Sequence, residues 1–514
     1  MGGKIKKIGK SKKEKLDKLE KKVKKSFFSS FKMPSNINPF NVNSNQYDKC
    51  NHKDVTQHEA IELELTATLL RPSIQAQPVL SADGRRAFYV YLQGVTPPDP
   101  PTPAIPPPQS TIAAEVFNIG TSGDLVTLST ITLAQLSAAA GTTITQINGG
   151  TATEDFSRFI ILADNLTFGQ NNAVSGIGYL FLLDQNLQVF KALKITDYPV
   201  TTGSLLSAEF SPNNNYIVFT YVITQPTTTV TSAVTKLRVV NAQTLVDVIS
   251  TTLQGYTNGA RFFELCECKT KSGECQKGQY RDLYIGVPTI GLNISIEGGV
   301  TSTASTALSF VGPSQLYIFQ FSNNKLTPID AASLPSFTSD FQVFQPAYGC
   351  VPYTLILTGA RPVDIERSIF TTLFTGFLGN DNRNQRLYLF DGVRLQLVYA
   401  RAIPQSTVPI AFDPRGQFIV NGNLEGRVPN CPGSFTLAKI KGIKDAVLEG
   451  CAVKLRIDPF GIIRPIPPLG VIADINKSGD WLAFGGSATG TTTDGTPDDP
   501  LNNVVLYRII RNKC

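Results

Sequence analysis

Histidine and cysteine are the side chains best able to bind metals or to act as nucleophiles, and this chain holds few of them. Its two histidines, His52 and His58, follow Cys50 in the stretch CNHKDVTQH. These three could supply ligands to zinc, but the spacing C-x-H-x5-H matches no strong zinc pattern. No fourth ligand is near them in the sequence. We therefore interpret the stretch as part of a polar linker, and we predict neither a metal site nor a cofactor.

Three further cysteines, Cys266, Cys268 and Cys275, lie within LCECKTKSGECQKGQ. The turn KSG falls midway between Cys268 and Cys275, so these two are expected to face each other across a hairpin. A disulfide at that separation forms if the compartment is oxidising, and free thiols in a hairpin are the alternative. Eight cysteines in 514 residues are too few for a disulfide scaffold.

Several patterns bear on location. The basic N-terminus is followed by no apolar segment, unlike an ordinary secretory signal. No stretch of 18 or more apolar residues occurs, so no membrane-spanning helix is predicted. We expect a reducing compartment, with the protein either intracellular or within a virion.

Catalytic motifs are missing from the sequence. It contains no G-x-S-x-G elbow, no Walker loop and no H-E-x-x-H. Two stretches rich in side-chain oxygens, 491–500 and 379–384, have the composition of calcium loops but not the EF-hand pattern, and solvated turns are the alternative. A site made of carboxylates alone stays open.

The elements that would position any site follow one repeated phrase, a polar turn and then an apolar strand. It occurs at SADGRRAFYVY (81–91), SPNNNYIVFTYV (211–222), FDPRGQFIVNG (412–422) and NKSGDWLAFGG (476–486). Abundant β-branched, Thr, Ser, Asn and Gly residues are typical of an all-β protein. Apolar residues make up 42% of the chain, enough for a large core.

Seven units can be followed along the chain. Each has a second strand like the one in this phrase and continues with further strands. The second strands are predicted at 86–93, 157–164, 215–222, 282–288, 353–359, 417–422 and 481–486. The seventh unit ends after its third strand (503–510), and the alternating segment 60–70 can supply the fourth. An N-terminal strand that completes the last unit would close a ring and cover its edges. The sixth unit's fourth strand is predicted within 446–457.

The connections between strands are unequal. Those from second to third strand are long, as in 94–110, 224–234, 289–314, 359–384 and 487–499. The turns from third to fourth strand are short. Because strands alternate in direction, the long connections share one face and the short turns the other. Loops on a rigid scaffold are where binding usually resides, so we predict recognition of another protein by the long-connection face.

The turns S-x-D-G and D-P-x-G before aromatic-rich strands resemble those of lactonase-like and WD-related seven-bladed β-propellers. The resemblance covers roughly residues 59–511 and is carried by the turns at 81–84, 211–214, 413–416 and 477–479. It implies architecture, and function does not follow from it. The Gly-His and Trp-Asp dipeptide motifs of WD repeats are absent from the sequence. The alternative to a non-catalytic protein is a propeller hydrolase or lactonase with a carboxylate site at the channel mouth.

The N-terminal arm, residues 1–34, is strongly basic. Thirteen Lys against three acidic residues give residues 1–32 a charge of +10, so the other 482 residues carry −3. Leu16, Leu19, Val23 and Phe27 form one apolar stripe of a helix. The side chains predicted to contact an anionic surface are Lys4, Lys6, Lys7, Lys10, Lys12, Lys13, Lys21, Lys22, Lys24, Lys25, Phe27, Phe28 and Phe31.

Residues 1–32 fit several partners: an anionic membrane, nucleic acid through phosphate contacts, or another acidic surface. A solvated, disordered tail or a short coiled-coil contact is the alternative. Taken together, the sequence predicts an all-β, seven-bladed β-propeller (59–514) closed by an N-terminal strand, with a polar linker (35–58) and a basic helical or disordered arm (1–34). We expect a binding or structural scaffold, such as a component of a virus particle.

Overall fold

The fold is described here from a computed structural model. It describes residues 61–69, 71, 75–92, 111–168, 174–196, 207–223, 231–232, 234–255, 257, 259–265, 282–289, 292–297, 305–310, 314–334, 340–344, 354–359, 384–402, 407–413, 418–423, 435–440, 446–447, 453–456, 472–485 and 504–511. The arm, the linker and the cysteine-rich hairpin at 266–281 lie outside these ranges, as do most of the predicted long connections.

The described chain is mostly strand, arranged in four-stranded antiparallel sheets, as the sequence predicted. After β1 (Ile61–Leu69), sheet 1 contains β2 (Gln75–Leu80), β3 (Arg86–Leu92), β4 (Ile112–Ile119) and β5 (Leu125–Thr132). A helix, α1 (Leu133–Ala140), leads to sheet 2, which contains β6 (Gln146–Ala152), β7 (Arg158–Phe168), β8 (Val174–Asp184) and β9 (Val189–Ile195). Sheet 3 contains β10 (Ser207–Phe210), β11 (Tyr216–Val222), β13 (Val234–Asn241) and β14 (Asp247–Gln254), with β12 (Thr231–Ser232) in its second-to-third connection.

The later sheets follow the same plan. Sheet 4 contains β15 (Arg261–Glu264), β16 (Leu283–Thr289), β19 (Ser314–Ser322) and β20 (Lys325–Leu334), with β17 (Leu292–Glu297) and β18 (Ser305–Phe310) between its second and third strands. Sheet 5 contains β21 (Asp340–Phe344), β22 (Thr354–Gly359), β23 (Asn384–Phe390) and β24 (Leu395–Ala402). Sheet 6 contains β25 (Thr407–Phe412), β26 (Phe418–Asn423), β27 (Phe435–Ile440) and β28 (Ala446–Val447).

Sheet 7 brings the two ends of the described chain together. Its strand order is β29-β1-β32-β31-β30, with β29 (Val453–Arg456), β30 (Ile472–Ile475), β31 (Trp481–Gly485) and β32 (Val504–Ile510). β1 pairs antiparallel with β32 and parallel with β29. The prediction of one strand within 446–457 was wrong in part, because the segment is divided between β28 of sheet 6 and β29 of sheet 7. β29 covers the outer side of β1, which would otherwise be an open edge.

The core consists of layers between neighbouring sheets. On β7, alternate side chains serve different layers, with Phe159 and Ile161 packed against sheet 1 and Ile160 and Leu162 packed against sheet 3. Both faces of such a strand are buried, which explains its nearly continuous apolar sequence. Fully burying an aliphatic or aromatic side chain stabilises the fold by roughly 1.5–3 kcal/mol, so these layers dominate the stability.

Sheets 1 and 7 pack against each other. The Tyr89 hydroxyl donates a hydrogen bond to the Val505 carbonyl at 3.0 Å, and the Leu80 amide donates to Asp474 Oδ2 at 2.7 Å. A Cβ on Gly485 would lie 1.6 Å from the Ala76 carbonyl oxygen, so only glycine fits this approach. Burial raises the pKa of Asp474 to about 6, although the Leu80 amide opposes that shift.

The helix α1 departs from the all-β prediction. Thr132 and Gln135 form a capping box, and Gly141 ends the helix in the left-handed conformation at φ 67°. Leu136 is its buried residue. The sequence analysis predicted no helix here and missed the T-x-x-Q signal of Thr132 and Gln135 that begins it.

Candidate functional site

The hairpin turns between first and second strands share one hydrogen-bonding pattern. In four of the described turns the first residue's side-chain oxygen accepts the amide five residues later: Ser81 from Arg86 at 2.9 Å, Thr153 from Arg158 at 3.1 Å, Ser211 from Tyr216 at 2.9 Å and Asn476 from Trp481 at 2.9 Å. The fourth turn residue is left-handed in each, at Gly84, Phe156, Asn214 and Gly479. The repeated phrase in the sequence is therefore a turn that satisfies its own polar groups.

Arginines join these turns from sheet to sheet. Arg86 of sheet 1 donates to the Asp155 carbonyl of sheet 2 at 2.6 Å. Arg158 of sheet 2 donates to the Asn214 carbonyl of sheet 3, also at 2.6 Å. Each guanidinium also lies over an aromatic ring near the next turn. Arg86 lies over Phe156 at 5.3 Å, and Arg158 lies over Phe210 of sheet 3 at 5.7 Å. These contacts set the spacing of neighbouring turns, and we call the side of the molecule that carries them the tight-turn face.

On the tight-turn face an ion pair joins two sheets, and Glu264 of a third sheet lies within electrostatic range of it. Lys477, in the sheet 7 turn, forms an ion pair with Glu154, in the sheet 2 turn, at 2.8 Å. Glu264 ends β15 of sheet 4, and burial raises its pKa to about 7, with the charge of Glu154 adding to that shift and Lys477 opposing it. The sequence did not predict this meeting, because these residues are far apart along the chain. No local motif could have revealed it.

The chemistry open to this cluster is limited. A carboxyl with a pKa near 7 is suited to general acid–base work. Glu154 forms an ion pair with Lys477, so Glu264 is the candidate acid of this cluster. Among the described residues, no group of three or more His, Cys, Asp or Glu is placed to hold a metal ion.

A second polar cluster is buried within sheet 1. Glu115 accepts from Arg71 Nε at 2.7 Å and from the Tyr91 hydroxyl at 2.5 Å. The hydrogen bond to Glu115 raises the pKa of Arg71, and burial, followed by the charge of Glu115, raises the pKa of Tyr91. Arg71 lies in the segment that connects β1 of sheet 7 to β2 of sheet 1, and Glu115 lies on β4. The cluster therefore holds this connecting segment against β4. Its role is structural.

The opposite side, which we call the long-connection face, carries additional structure. β12, β17 and β18 form a three-stranded sheet in which β17 pairs antiparallel with both neighbours. β12 comes from the connection of sheet 3, and β17 and β18 from that of sheet 4. The β7–β8 hairpin is also prolonged toward this face, as far as Phe168 opposite Val174. The sequence predicted long loops here and missed these strands.

The site residues predicted from the sequence lie outside the described residues. These are Lys4, Lys6, Lys7, Lys10, Lys12, Lys13, Lys21, Lys22, Lys24, Lys25, Phe27, Phe28 and Phe31 of the arm, and the cysteine pair Cys268 and Cys275. The two cysteines fall in the connection between β15 and β16, which pair antiparallel with each other, and their pairing stays a prediction. Among the helices that are described, none is long and apolar enough to cross a membrane.

No protein-family model matches this chain, and no curated relative matches it. Solved structures do. The RRP9 WD40 repeats are similar over 88% of this chain and 98% of theirs, with 9% identity and a TM-score of 0.40. The periplasmic gluconolactonase of Pseudomonas aeruginosa is similar over 88% of this chain and 89% of its own, with 11% identity and a TM-score of 0.38.

A third similar structure is the β-propeller domain of the Trilobed protease from Pyrococcus furiosus, with 8% identity, 86% of this chain and 94% of that one covered, and a TM-score of 0.34. The predicted fold-level resemblance to WD-related and lactonase-like propellers is confirmed. The likeness is one of fold alone. It says nothing about which residues act or on what.

Proposed function

We propose that this protein is a non-catalytic binding scaffold that holds a protein partner on its long-connection face. In this proposal sheets 1–7 are the blades of a seven-bladed β-propeller, and β1 closes the ring. The observation that supports it is the three-stranded sheet of β12, β17 and β18, built from the connections of two neighbouring sheets. A large assembly, such as a virus particle, is the setting that fits a scaffold with a basic arm.

The two faces differ in the surface that they offer. On the tight-turn face, side chains such as Ser81 and Asn476 are engaged in their own turns, and Glu154 is paired with Lys477. On the long-connection face, short paired strands extend beyond the sheets. Backbone at the edge of such strands can pair with an added strand from a partner. The long-connection face therefore has the free hydrogen-bonding capacity that recognition requires.

The experiment compares partner capture by three forms of the full-length protein. In the first variant Asn-Gly replaces residues 290–313, which removes β17 and β18 and leaves β16 and β19 joined by a short hairpin. The control variant changes the charge of two tight turns, with Gln185→Lys and Lys325→Glu. We expect the hairpin variant to fold and lose the partner that co-purifies with the natural protein, while the control keeps it. Loss of the partner in the control variant alone would place recognition on the tight-turn face and contradict the proposal.

The basic arm is proposed to attach the scaffold to an anionic surface. Its charge of +10 against a body of −3 concentrates electrostatic attraction in residues 1–32. The test is sedimentation with anionic and neutral liposomes and gel shift with duplex DNA, each at low and moderate salt. Lipid binding that requires Phe27, Phe28 and Phe31 and partly survives salt supports a membrane. Binding to neither at low salt refutes this part of the proposal.

A second candidate function rests on Glu264. Its pKa near 7 and its place beside Glu154 and Lys477 are what a hydrolase or lactonase with a carboxylate at the channel mouth would need. Lactone or ester turnover that disappears in E264Q but persists in a Gln185→Lys control would favour this function. The scaffold proposal expects no turnover above that of buffer in any of these proteins.

A further inference from the structure

Large apolar side chains are exposed on the outermost strands and their turns, at the rim of the molecule. They are Val126 (53% exposed) and Leu128 (54%) at sheet 1, Phe190 (47%) at sheet 2, Val246 (64%) at sheet 3, and Val393 (71%) and Leu397 (52%) at sheet 5. Exposed apolar residues that lie close together can mark an interaction site. Sheets 1 and 5 each present a Val and a Leu, but their surroundings differ.

The chain enters the described fold beside the sheet 1 rim. Glu62 pairs with Ile510, and Trp481 pairs with Arg508, so β1 starts at the same end as the Asn476 turn, on the tight-turn face. The turn that precedes β5 touches β1, because a Cβ on Gly123 would lie 2.4 Å from the Thr66 Cβ. Ile61 is five residues before Thr66 on the same strand, so the chain enters the described fold within about 17 Å of this turn.

The charged side chains beside the exposed apolar residues differ from sheet to sheet. Residues 119–132, which hold Val126 and Leu128, contain a single charged side chain, the exposed Asp124. Phe190 is followed by the exposed Lys191. At sheet 5, Arg394 forms an ion pair with Asp391 at 3.8 Å, and at sheet 3, Asp247 forms one with Arg238 at 2.7 Å. Like charges near an interface are unfavourable. The sheet 1 rim therefore offers a basic helix an exposed acidic side chain beside an apolar pair, whereas Lys191 disfavours such a helix at the sheet 2 rim.

We propose that residues 15–28 of the arm dock as a helix on the rim of their own sheet 1. The stripe of Leu16, Leu19, Val23 and Phe27 covers Val126 and Leu128, and flanking lysines face Asp124. An isolated helix of this length is marginal in water and needs packing of its apolar face. A linker of residues 35–60 spans roughly 25–30 Å when flexible, which is enough to reach the sheet 1 rim from Ile61.

Docking would hold the apolar stripe away from other surfaces. An anionic membrane or nucleic acid then has to compete with the sheet 1 rim for the arm. The helix binds either the rim or the anionic surface. The inference concerns the free protein and goes beyond the proposed function, because it stands whether or not the arm binds an anionic surface.

The test is amide hydrogen exchange of the arm in three full-length proteins without added lipid or nucleic acid. They are the natural protein, the rim variant V126S/L128S, and the matched control V393S/L397S, which removes the same pair of residue types from sheet 5. We expect amides 15–28 to exchange about tenfold more slowly in the natural protein and the control than in the rim variant.

Three outcomes would overturn the proposal. Fast exchange of residues 15–28 in the natural protein would show that the arm is not docked. Equal protection in all three proteins would place it elsewhere, and equal loss in both variants would show that protection does not depend on the sheet 1 rim. Exchange of β3 and β4 amides, measured in the same experiment, reports whether each variant has kept its fold.

Discussion

Single polar residues in this protein mainly stabilise turns and hold neighbouring sheets together. Asn476 is 1% exposed and its amide oxygen accepts both the Asp480 and Trp481 amides at 2.9 Å, so one side chain shapes a whole turn. Arg158 extends from one sheet to the turn of the next. Among the described residues, the buried ion pair of Arg71 with Glu115 and the raised pKa of Glu264 provide the sharpest tests.

The Arg71–Glu115 pair gives a test by double substitution. Arg71→Met should lower the free energy of unfolding by about 3 kcal/mol, because it leaves the Glu115 charge buried without its partner. Arg71→Met combined with Glu115→Gln should recover part of that loss, since the amide oxygen still accepts from Tyr91. Equilibrium urea unfolding measures both. A double variant less stable than Arg71→Met would contradict this role for the pair.

Glu264 gives a test that depends on pH. Its folded pKa of about 7 lies above the ordinary value of 4.5, so the unfolded chain loses the proton first as pH rises. Folding is therefore penalised by this group above pH 4.5, and the penalty is complete above pH 7. Because the side chain is partly solvent-screened, we expect Glu264→Gln to stabilise the fold by about 1 kcal/mol at pH 8.5. At pH 4.5 the variant should match the natural protein, and an equal difference at both pH values would contradict the raised pKa.

At the scale of elements, strands were predictable and their partners in other sheets were not. The phrase SADGRRAFYVY shows its strand through a run of apolar residues and its turn through Ser81 and Gly84, all within a few residues. β17 and β18 carried no comparable turn phrase. The Glu154–Lys477 contact joins residues 323 apart, and its formation depends on how sheets pack, which no local pattern encodes. The same limit explains why β29 was assigned to sheet 6.

The helix α1 is short enough for its cap to matter. Thr132→Ala removes the hydroxyl that accepts the Gln135 amide, so the capping box is lost. We expect a loss of about 1 kcal/mol in the free energy of unfolding. Thr127→Ala, on the exposed part of β5, serves as the control and should stay within about 0.5 kcal/mol of the natural protein. Thermal or urea unfolding compares the two, and equal effects would show that the cap contributes nothing.

At the scale of the whole molecule, the proposed function depends on a rigid ring. Sheet 7 contains both ends of the described chain, and it is joined to sheet 1 by Tyr89, Asp474 and the tight approach at Gly485. β1 lies between β32 and β29, so one N-terminal strand covers two edges. In the proposed function, this arrangement closes the ring and keeps both faces in fixed relation, with the arm attached at β1.

The most direct test of that account is the stability of two truncated chains. One starts at residue 59 and keeps β1, and the other starts at residue 75 and lacks both β1 and Arg71. The account predicts that the first is monomeric with the Tm of the full chain. The second should aggregate through its uncovered strands or melt about 5 °C or more lower. A chain starting at residue 75 that is soluble, monomeric and as thermostable as the first would contradict closure by β1.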